Sequence, residues 1–527
     1  MTLLRNVGTI GGLTAFSRIF GFLRDMLLAR LLGAGLAADA FQLAFLLPNI
    51  FRRMFAEGAF SLAFVPLYSR ALHSEGGEAA AARFAEQVLA VFVWVLLGFS
   101  ALAMLAMPGV VWLLASDFTR IPGKFDLAVA LSRVTFPYLG LVSVVAMFSG
   151  LLNARGRFAP GAFVPVLLNF VLIAAIGVGA LLRRSGAADT SIALTLAGAV
   201  TVGGAVQLAY IGWATRRAGV SLRLAVPRVT PEVRRLAALI VPATLGAGIY
   251  QFGHVVDTFF ATSLPQGSLT LLKYADRLHQ LPLGIIGYAL GTAMLPMLAR
   301  HIQTGDGAGA RSLQAEALEM ATLVTLPAAA ALAICAPGFV TALFVGGRMT
   351  AADGAVMAQI LVALACGVPA YVLVKVLQPA FFAREDTRTP MAIAGVALVA
   401  NIGVNLVVVP RFGIVGLAGA TAFAATLNGL LHYAILHWRG WFSVTTALAT
   451  RIGRQLAATL VMAAALWVVQ PLLADRYGGD AFERLWSLVA LVGAGLAAFF
   501  TAAFVTGALD KHRVARLLRR RPPAPAE

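Results

Sequence analysis

The stretch SRIFGFLRDMLLARLLGAGLAADAFQLAFLLPNIFRRMFAEGAFSLAFVPLYSR (17–70) decides how the chain is read. It is apolar over lengths that can cross a bilayer, yet Arg18, Arg24, Asp25, Arg30, Asp39, Arg52, Arg53 and Glu57 lie within it. A membrane span needs about 20 mostly apolar residues, and a charge at its centre costs about 2.5–3.5 kcal/mol on insertion scales. Similar apolar stretches recur throughout the 527 residues, which are 60% hydrophobic and 12% charged, with a mean hydropathy of +0.86. A soluble domain is about 45–50% apolar and about 25% charged, so a soluble enzyme is excluded. Disorder is excluded by the same apolar excess. A β-barrel would alternate over segments of roughly 10 residues rather than run solidly apolar. An all-α polytopic membrane protein remains.

The length rule places spans near 8–32, 38–69, 84–115, 128–152, 159–182, 190–214, 236–262, 270–299, 316–345, 354–382, 390–409, 414–438, 446–473 and 485–508, about fourteen in all. The N-terminal stretch does not read as a cleavable signal, because Arg18, Arg24 and Asp25 interrupt it. With the N-terminus inside, inner connections hold 24 Lys and Arg against 8 outside. That bias predicts both termini in the cytoplasm. It also accounts for much of the net charge of +18 without any nucleic acid. Cys335 and Cys366 read as buried small hydrophobes, with no disulfide and no metal spacing.

Internal similarity divides the chain further. Pro108-Gly109 returns as Pro337-Gly338, and Ala154-Arg155 returns as Ala383-Arg384, both at an offset of 229. Pro137 pairs with Pro369, and Asp25 with Asp257, at 232. These pairs predict two pseudo-symmetric six-helix lobes, 1–225 and 226–440, then two extra transmembrane helices in 441–510 and a basic cytoplasmic tail at 511–527. An even number of spans per half gives both copies the same orientation, an arrangement of transporters.

Nine cations fall within spans, and the acids Asp25, Asp39, Glu57, Asp257 and Asp276 offset only part of them. At 100° per residue, Ser17, Gly21 and Arg24 line up, with Arg18 and Asp25 on the adjacent line. Asn49, Arg52 and Arg53 share a face, and Arg53 reaches Glu57 at i+4. Tyr250, His254 and Asp257 share another, as do Lys273, Arg277 and Gln280, with Asp276 beside them. Buried ion pairs that only fix packing are the competing reading. The surplus of cations in both halves favours a water-lined cavity awaiting an anion. Arginine's planar fork suits phosphate oxygens, so the expected substrate is anionic and phosphate-bearing. Lys375 joins this set, and Asp25, Arg53, Glu57, Asp257 and Asp276 are the expected gating or ion-pair residues. Neither a phosphate-binding G-x-x-x-x-G-K-[ST] loop nor H-E-x-x-H occurs, so neither nucleotide hydrolysis by a P-loop nor metal catalysis is expected. Gly8-x-x-x-Gly12 and Gly287-x-x-x-Gly291 suggest close helix packing.

The 17–70 stretch, together with YADRLHQLPLGIIGYALGTAMLPMLAR (274–300) and VKVLQPAFFAREDTRTP (374–390), resembles the MurJ/MviN family of lipid II flippases. These belong to the multidrug/oligosaccharidyl-lipid/polysaccharide exporter superfamily. The resemblance runs through essentially the whole chain, including the last two spans. It implies that Arg18, Arg24, Arg52 and Arg277 are the family's cavity arginines and that Asp39 is its acidic residue of the second helix. Asn49, Lys273 and Lys375 complete the expected substrate-binding set. Gln280 stands where the family often has Glu. The substrate so implied is lipid II, an undecaprenyl-diphosphate-linked disaccharide-pentapeptide, flipped from the inner to the outer leaflet of the bacterial cytoplasmic membrane by alternating access. The last two helices would offer a groove for its tail. No cofactor, nucleic acid or particular protein partner is implied; a coupling cation or the membrane potential would supply energy. A drug/cation antiporter of the same superfamily would want a carboxylate-rich cavity. A polyprenyl-phosphate transferase would want paired acids. The charge balance and the missing acid pairs speak against both.

Overall fold

A computed structural model of the chain describes residues 2–54, 60–223 and 226–509; side chains are described except at 2–7, 9–10, 61–62, 241–250 and 285–293. Among the described residues the regular structure is helical, with one isolated bridge between Gly346 and Met349. The helices are α1 (Thr2–Leu32), α2 (Leu36–Met54), α3 (Phe60–Leu72), α4 (Gly77–Leu105), α5 (Met107–Ala115), α6 (Lys124–Thr135), α7 (Pro137–Ala154), α8 (Ala159–Arg184), α9 (Asp189–Arg217), α10 (Pro231–Thr262), α11 (Ser268–Gln303), α12 (Gly307–Ile334), α13 (Ala336–Leu343), α14 (Ala351–Ala365), α15 (Val368–Leu377), α16 (Pro379–Phe382), α17 (Arg388–Trp438), α18 (Thr446–Leu472) and α19 (Ala481–Val505). Nine stretches among the described residues are long and apolar enough to cross a membrane, and one of these is the 51-residue α17. A helix that long would run about 76 Å at 1.5 Å per residue, far beyond a bilayer core of about 30 Å. It breaks at Gly413, whose φ of 56° and ψ of −136° leave helical geometry.

Proline explains where several expected spans divide. Pro108 and Pro337 sit in the first turns of the short helices α5 and α13. Pro137 and Pro369 do the same in α7 and α15. Proline is tolerated in a helix's first turn, where its missing N–H has no partner to lose. The repeated residues are thus repeated helix breaks. The two members of a pair differ in their surroundings: a Cβ on Gly109 would meet nothing, while one on Gly338 would come within 2.8 Å of the Tyr477 ring.

The chain forms two compact units, residues 1–270 with 346–349, and residues 271–345 with 350–527. In the first, α8 packs on α1 and α9, α6 on α2, and α7 on α9 and α3. Phe60, Phe64, Tyr68, Phe84 and Met147 fill its core between α3, α4 and α7. Helix α10 starts the second copy of the sequence repeat but packs on α2, α3, α4 and α5. Repeat and packing therefore divide at different residues. In the second unit α12 packs on α14, α15 and α18, and α17 on α14 and α15. Cys335, Met462, Leu466, Tyr477 and Phe499 join α18 and α19 to that body.

Several expectations need correction. Cys335 is buried, but Cys366, at the C-terminal cap of α14, is exposed. No described atom lies within 4 Å of a Cβ placed on Gly8 or Gly12, so the described residues show no second helix packed there. The side chains around Gly287 and Gly291, the Tyr250 side chain, Glu57 and the tail at 511–527 lie outside the described residues.

Candidate substrate-binding site

In the first unit, α1 presents a polar stripe toward α8 and α2. Arg24 and Asp25 are each 6% exposed. The Arg24 guanidinium donates through Nε and Nη2 to Asp25 Oδ1, at 2.9 and 2.7 Å, and through Nη1 to Asn169 Oδ1 on α8, at 3.0 Å. Asn169 Nδ2 donates in turn to the Ser17 carbonyl at 3.0 Å. The Arg24 guanidinium also lies 5.6 Å from the centre of the Phe45 ring. A buried arginine needs this many acceptors to offset lost hydration, so Arg24 is held in place rather than left reaching for a ligand.

Arg18, two turns earlier, is exposed. No described residue accepts a hydrogen bond from its guanidinium. It opens on a cavity of about 340 Å³ shared with Thr14, Ser17, Ser149 and Asn153. On α2, Arg52 Nε donates to Asn49 Oδ1 at 3.2 Å, and Asn49 Nδ2 donates to the Phe45 carbonyl at 2.7 Å. That bond turns Asn49 into a support that aims Arg52. Arg53 is exposed, and Asp257 on α10 is half-buried, as is His254.

Asp39, expected in the substrate set, has another task. It is 2% exposed, and its carboxylate accepts from Lys124 Nζ and the Gly267 N–H, both at 2.8 Å, and from the Thr270 N–H and hydroxyl at 3.1 and 2.7 Å. Gly267 and Thr270 bracket the first turn of α11, so Asp39 caps that helix from α2, where the helix dipole favours a negative charge. Lys124, 1% exposed, also lies 4.1 Å from the centre of the Phe118 ring. Four donors occupy both oxygens and leave little for a ligand. Lys124 reads in the sequence as an outer-loop cation; its pairing across 85 residues leaves no local trace.

In the second unit the polar residues gather on α11. Asp276 accepts from Gln280 Nε2 through Oδ2, and its Oδ1 lies 3.5 Å from His279 Nδ1. Lys273 and Arg277 flank it, both half-buried, and Lys375 on α15 is exposed. Gln280 thus orients the neighbouring carboxylate. The structure brings together Arg24 with Asp25, Arg52 with Asn49, and Asp276 with Gln280. Sequence reasoning missed Asn169 and His279. Asn169 is the lone amide in an apolar helix, and that isolation was its only signal.

Helices throughout the described residues, nine stretches apolar enough to cross a membrane and charged side chains set along them define a multi-pass membrane transporter rather than an enzyme. The family model described as lipid II flippase MurJ matches residues 28–484. A protein of Rhizobium meliloti named "Probable lipid II flippase MurJ" is 40% identical over 523 residues, covering 99% of this chain and 97% of its own length. The "Lipid II flippase MurJ" of Burkholderia cenocepacia is 34% identical, covering 88% of this chain and 89% of itself. The chain therefore belongs to the lipid II flippase MurJ family. Its fold is similar to that of a solved "Lipid II flippase MurJ, inward closed conformation", with a TM-score of 0.77 at 21% identity over 97% of this chain and 99% of that one. A multidrug resistance MATE family transporter of the MOP superfamily, in an inward-facing conformation, matches at a TM-score of 0.65 and 13% identity over 82% of this chain and 95% of that one.

Proposed function

We propose that this chain carries lipid II from the inner to the outer leaflet of the bacterial cytoplasmic membrane by alternating access, and that its diphosphate exchanges among Arg18, Arg24, Arg52 and Arg277 during the cycle. The observation that carries this reading is the Arg18 guanidinium, unengaged by any described residue and opening on a cavity beside Ser17, Ser149 and Asn153, in a chain of this family. Arg52 is aimed by Asn49. Arg24 starts out bound to Asp25, so a diphosphate would have to displace one carboxylate bond to reach it. A cationic substrate is less well supported, because Asp25 and Asp39 already hold cations of the protein itself. The polyprenyl tail stays in lipid along α18 and α19, whose outward faces expose Trp467, Phe482 and Trp486. Both termini lie in the cytoplasm, in keeping with the basic bias of the connections, and energy comes from a coupling cation or the membrane potential.

The test is conditional depletion followed by leaflet-resolved accounting of the lipid-linked cell-wall precursor. Precursor should accumulate in the inner leaflet, and the chain carrying Arg18→Ala should fail to relieve it. An unchanged leaflet ratio on depletion would refute the reading.

A further inference from the structure

The site on α11 contains a group that diphosphate binding does not use. His279 is 3% exposed, and among the described residues neither of its ring nitrogens has a hydrogen-bond partner. A neutral imidazole always carries one N–H, so a neutral His279 buries an unsatisfied donor, an arrangement native cores avoid. Its Nδ1 is 3.5 Å from Asp276 Oδ1, beyond a good hydrogen bond but within reach of one after a small rotation. The other Asp276 oxygen is taken by Gln280, an amide that has no proton to exchange. The Tyr371 ring on α15 meets the imidazole edge-on, with centroids 5.3 Å apart. Among the described residues, Asp276 and the Tyr371 ring of α15 meet it directly; Lys273 and Arg277 are the nearest cations along its own helix, and Lys375 follows Tyr371 by one turn on α15.

We propose that His279 and Asp276 form a proton-binding site, and that the proton taken up there strengthens the hold of Arg277 on an anionic diphosphate. This rests on the diphosphate reading above. Uptake adds one positive charge two residues from Arg277 on the same helix. In a weakly screened interior that charge favours an anion. Linkage makes the effect reciprocal, so diphosphate binding draws a proton onto His279. Gln280 fixes the carboxylate that the imidazolium meets, which places the exchangeable proton of this cluster on the His279–Asp276 pair.

The test uses the purified full-length chain and its His279→Gln variant, with farnesyl diphosphate as the probe. Wild type should bind the probe about tenfold more tightly near pH 5.5 than near pH 8, and the variant should show a flat profile. In a difference titration over the same range, wild type should take up about one proton more than the variant. If His279→Gln lowers the yield, His279→Asn serves as the second variant. Equal pH slopes in both proteins, or superimposable titrations, overturn the proposal. If neither protein binds the probe at any pH, the diphosphate reading fails, and the titration alone decides whether His279 holds a proton.

Discussion

Asp39 and Asp276 are carboxylates on apolar helices of two different units, and their surroundings are opposite. Asp39 receives four hydrogen bonds, including an ion pair with Lys124, at 2% exposure. Asp276 is half-buried, with Gln280 on one oxygen and an imidazole at 3.5 Å from the other. A fully satisfied buried charge has nothing left to exchange and serves packing. A half-buried one such as Asp276 stays within reach of water and can change partners, which is what binding and coupling need. Charge in the membrane is therefore not by itself a sign of function; the depth of its burial separates the two cases.

The comparison breaks most readily at Asp39. Asp39→Ala strands Lys124, 1% exposed, and removes the acceptor of two N–H groups at the start of α11. Breaking a buried pair from one side costs about 3–5 kcal/mol, so the variant should be nearly absent from membranes on a blot. The double variant Asp39→Ala/Lys124→Met should recover much of the loss, since replacing a whole buried pair by apolar groups is often close to neutral. Normal abundance of Asp39→Ala with transport lost would make Asp39 a ligand instead.

Arg24 and Arg18 test the same idea within one helix. Arg24→Ala leaves Asp25 without its guanidinium partner and should destabilise the protein by about 3 kcal/mol, visible as lower abundance and a lower Tm in detergent. Arg18→Ala breaks no described bond and should leave both unchanged while abolishing transport. Equal abundance of the two variants would show that the Arg24–Asp25 pair contributes no more than an exposed arginine.

Much of this was legible from residues alone. Each expected apolar stretch contains helix among the described residues, and the prolines at 108, 137, 337 and 369 mark where the stretches divide. Hydropathy and proline act locally, so a linear pattern records them. The Asp39–Lys124 pair, the packing of α10 on α2 to α5 and the grip of Asn169 on Arg24 join residues far apart in sequence. No local period encodes such meetings. The exposure of Cys366 has a related cause: hydropathy reports apolar surroundings, and lipid is as apolar as a protein core.

A tight turn at 346–349 offers a packing test without charge. It lies against the end of α1, where the Arg348 N–H donates to the Arg30 carbonyl at 2.9 Å and the Arg348 side chain reaches Asp189 at 2.7 Å. Gly347 has a φ of +59°, and a Cβ there would sit 2.3 Å from the Arg30 oxygen; Gly33, at φ +68°, would come 2.5 Å from the Arg348 oxygen. Non-glycine residues in this region cost about 1–3 kcal/mol, and here the backbone contact must also part. Gly347→Ala and Gly33→Ala should each lower the Tm. The double variant should lose less than the sum, because both break one approach. Additive losses would show that the two glycines act separately.

The smallest effect expected is at Asp386, a carboxylate with three donors like those of Asp39 but placed in a loop. It accepts from the Thr389 N–H at 2.9 Å, the Thr389 hydroxyl at 2.6 Å and Arg439 Nη1 at 2.7 Å, and its side chain keeps 20% exposure. Burial alone would raise its pKa; the bonds from Thr389 and Arg439 outweigh that and bring it from 3.8 down to about 2. Because the folded value lies below the unfolded one, its stabilisation is whole above pH 3.8 and fades as the pH falls toward about 2. Asp386→Ala removes a cap from the first turn of α17, for about 1 kcal/mol, much less than Asp39→Ala because water reaches the partners left behind. The difference in Tm between parent and variant should be present at pH 7 and should narrow at pH values below 3.8. A gap that stays constant with pH would mean that the loop is held by shape rather than by this charge. A gap at pH 7 as large as that of Asp39→Ala would mean that partner count, without burial, sets the cost of losing a carboxylate.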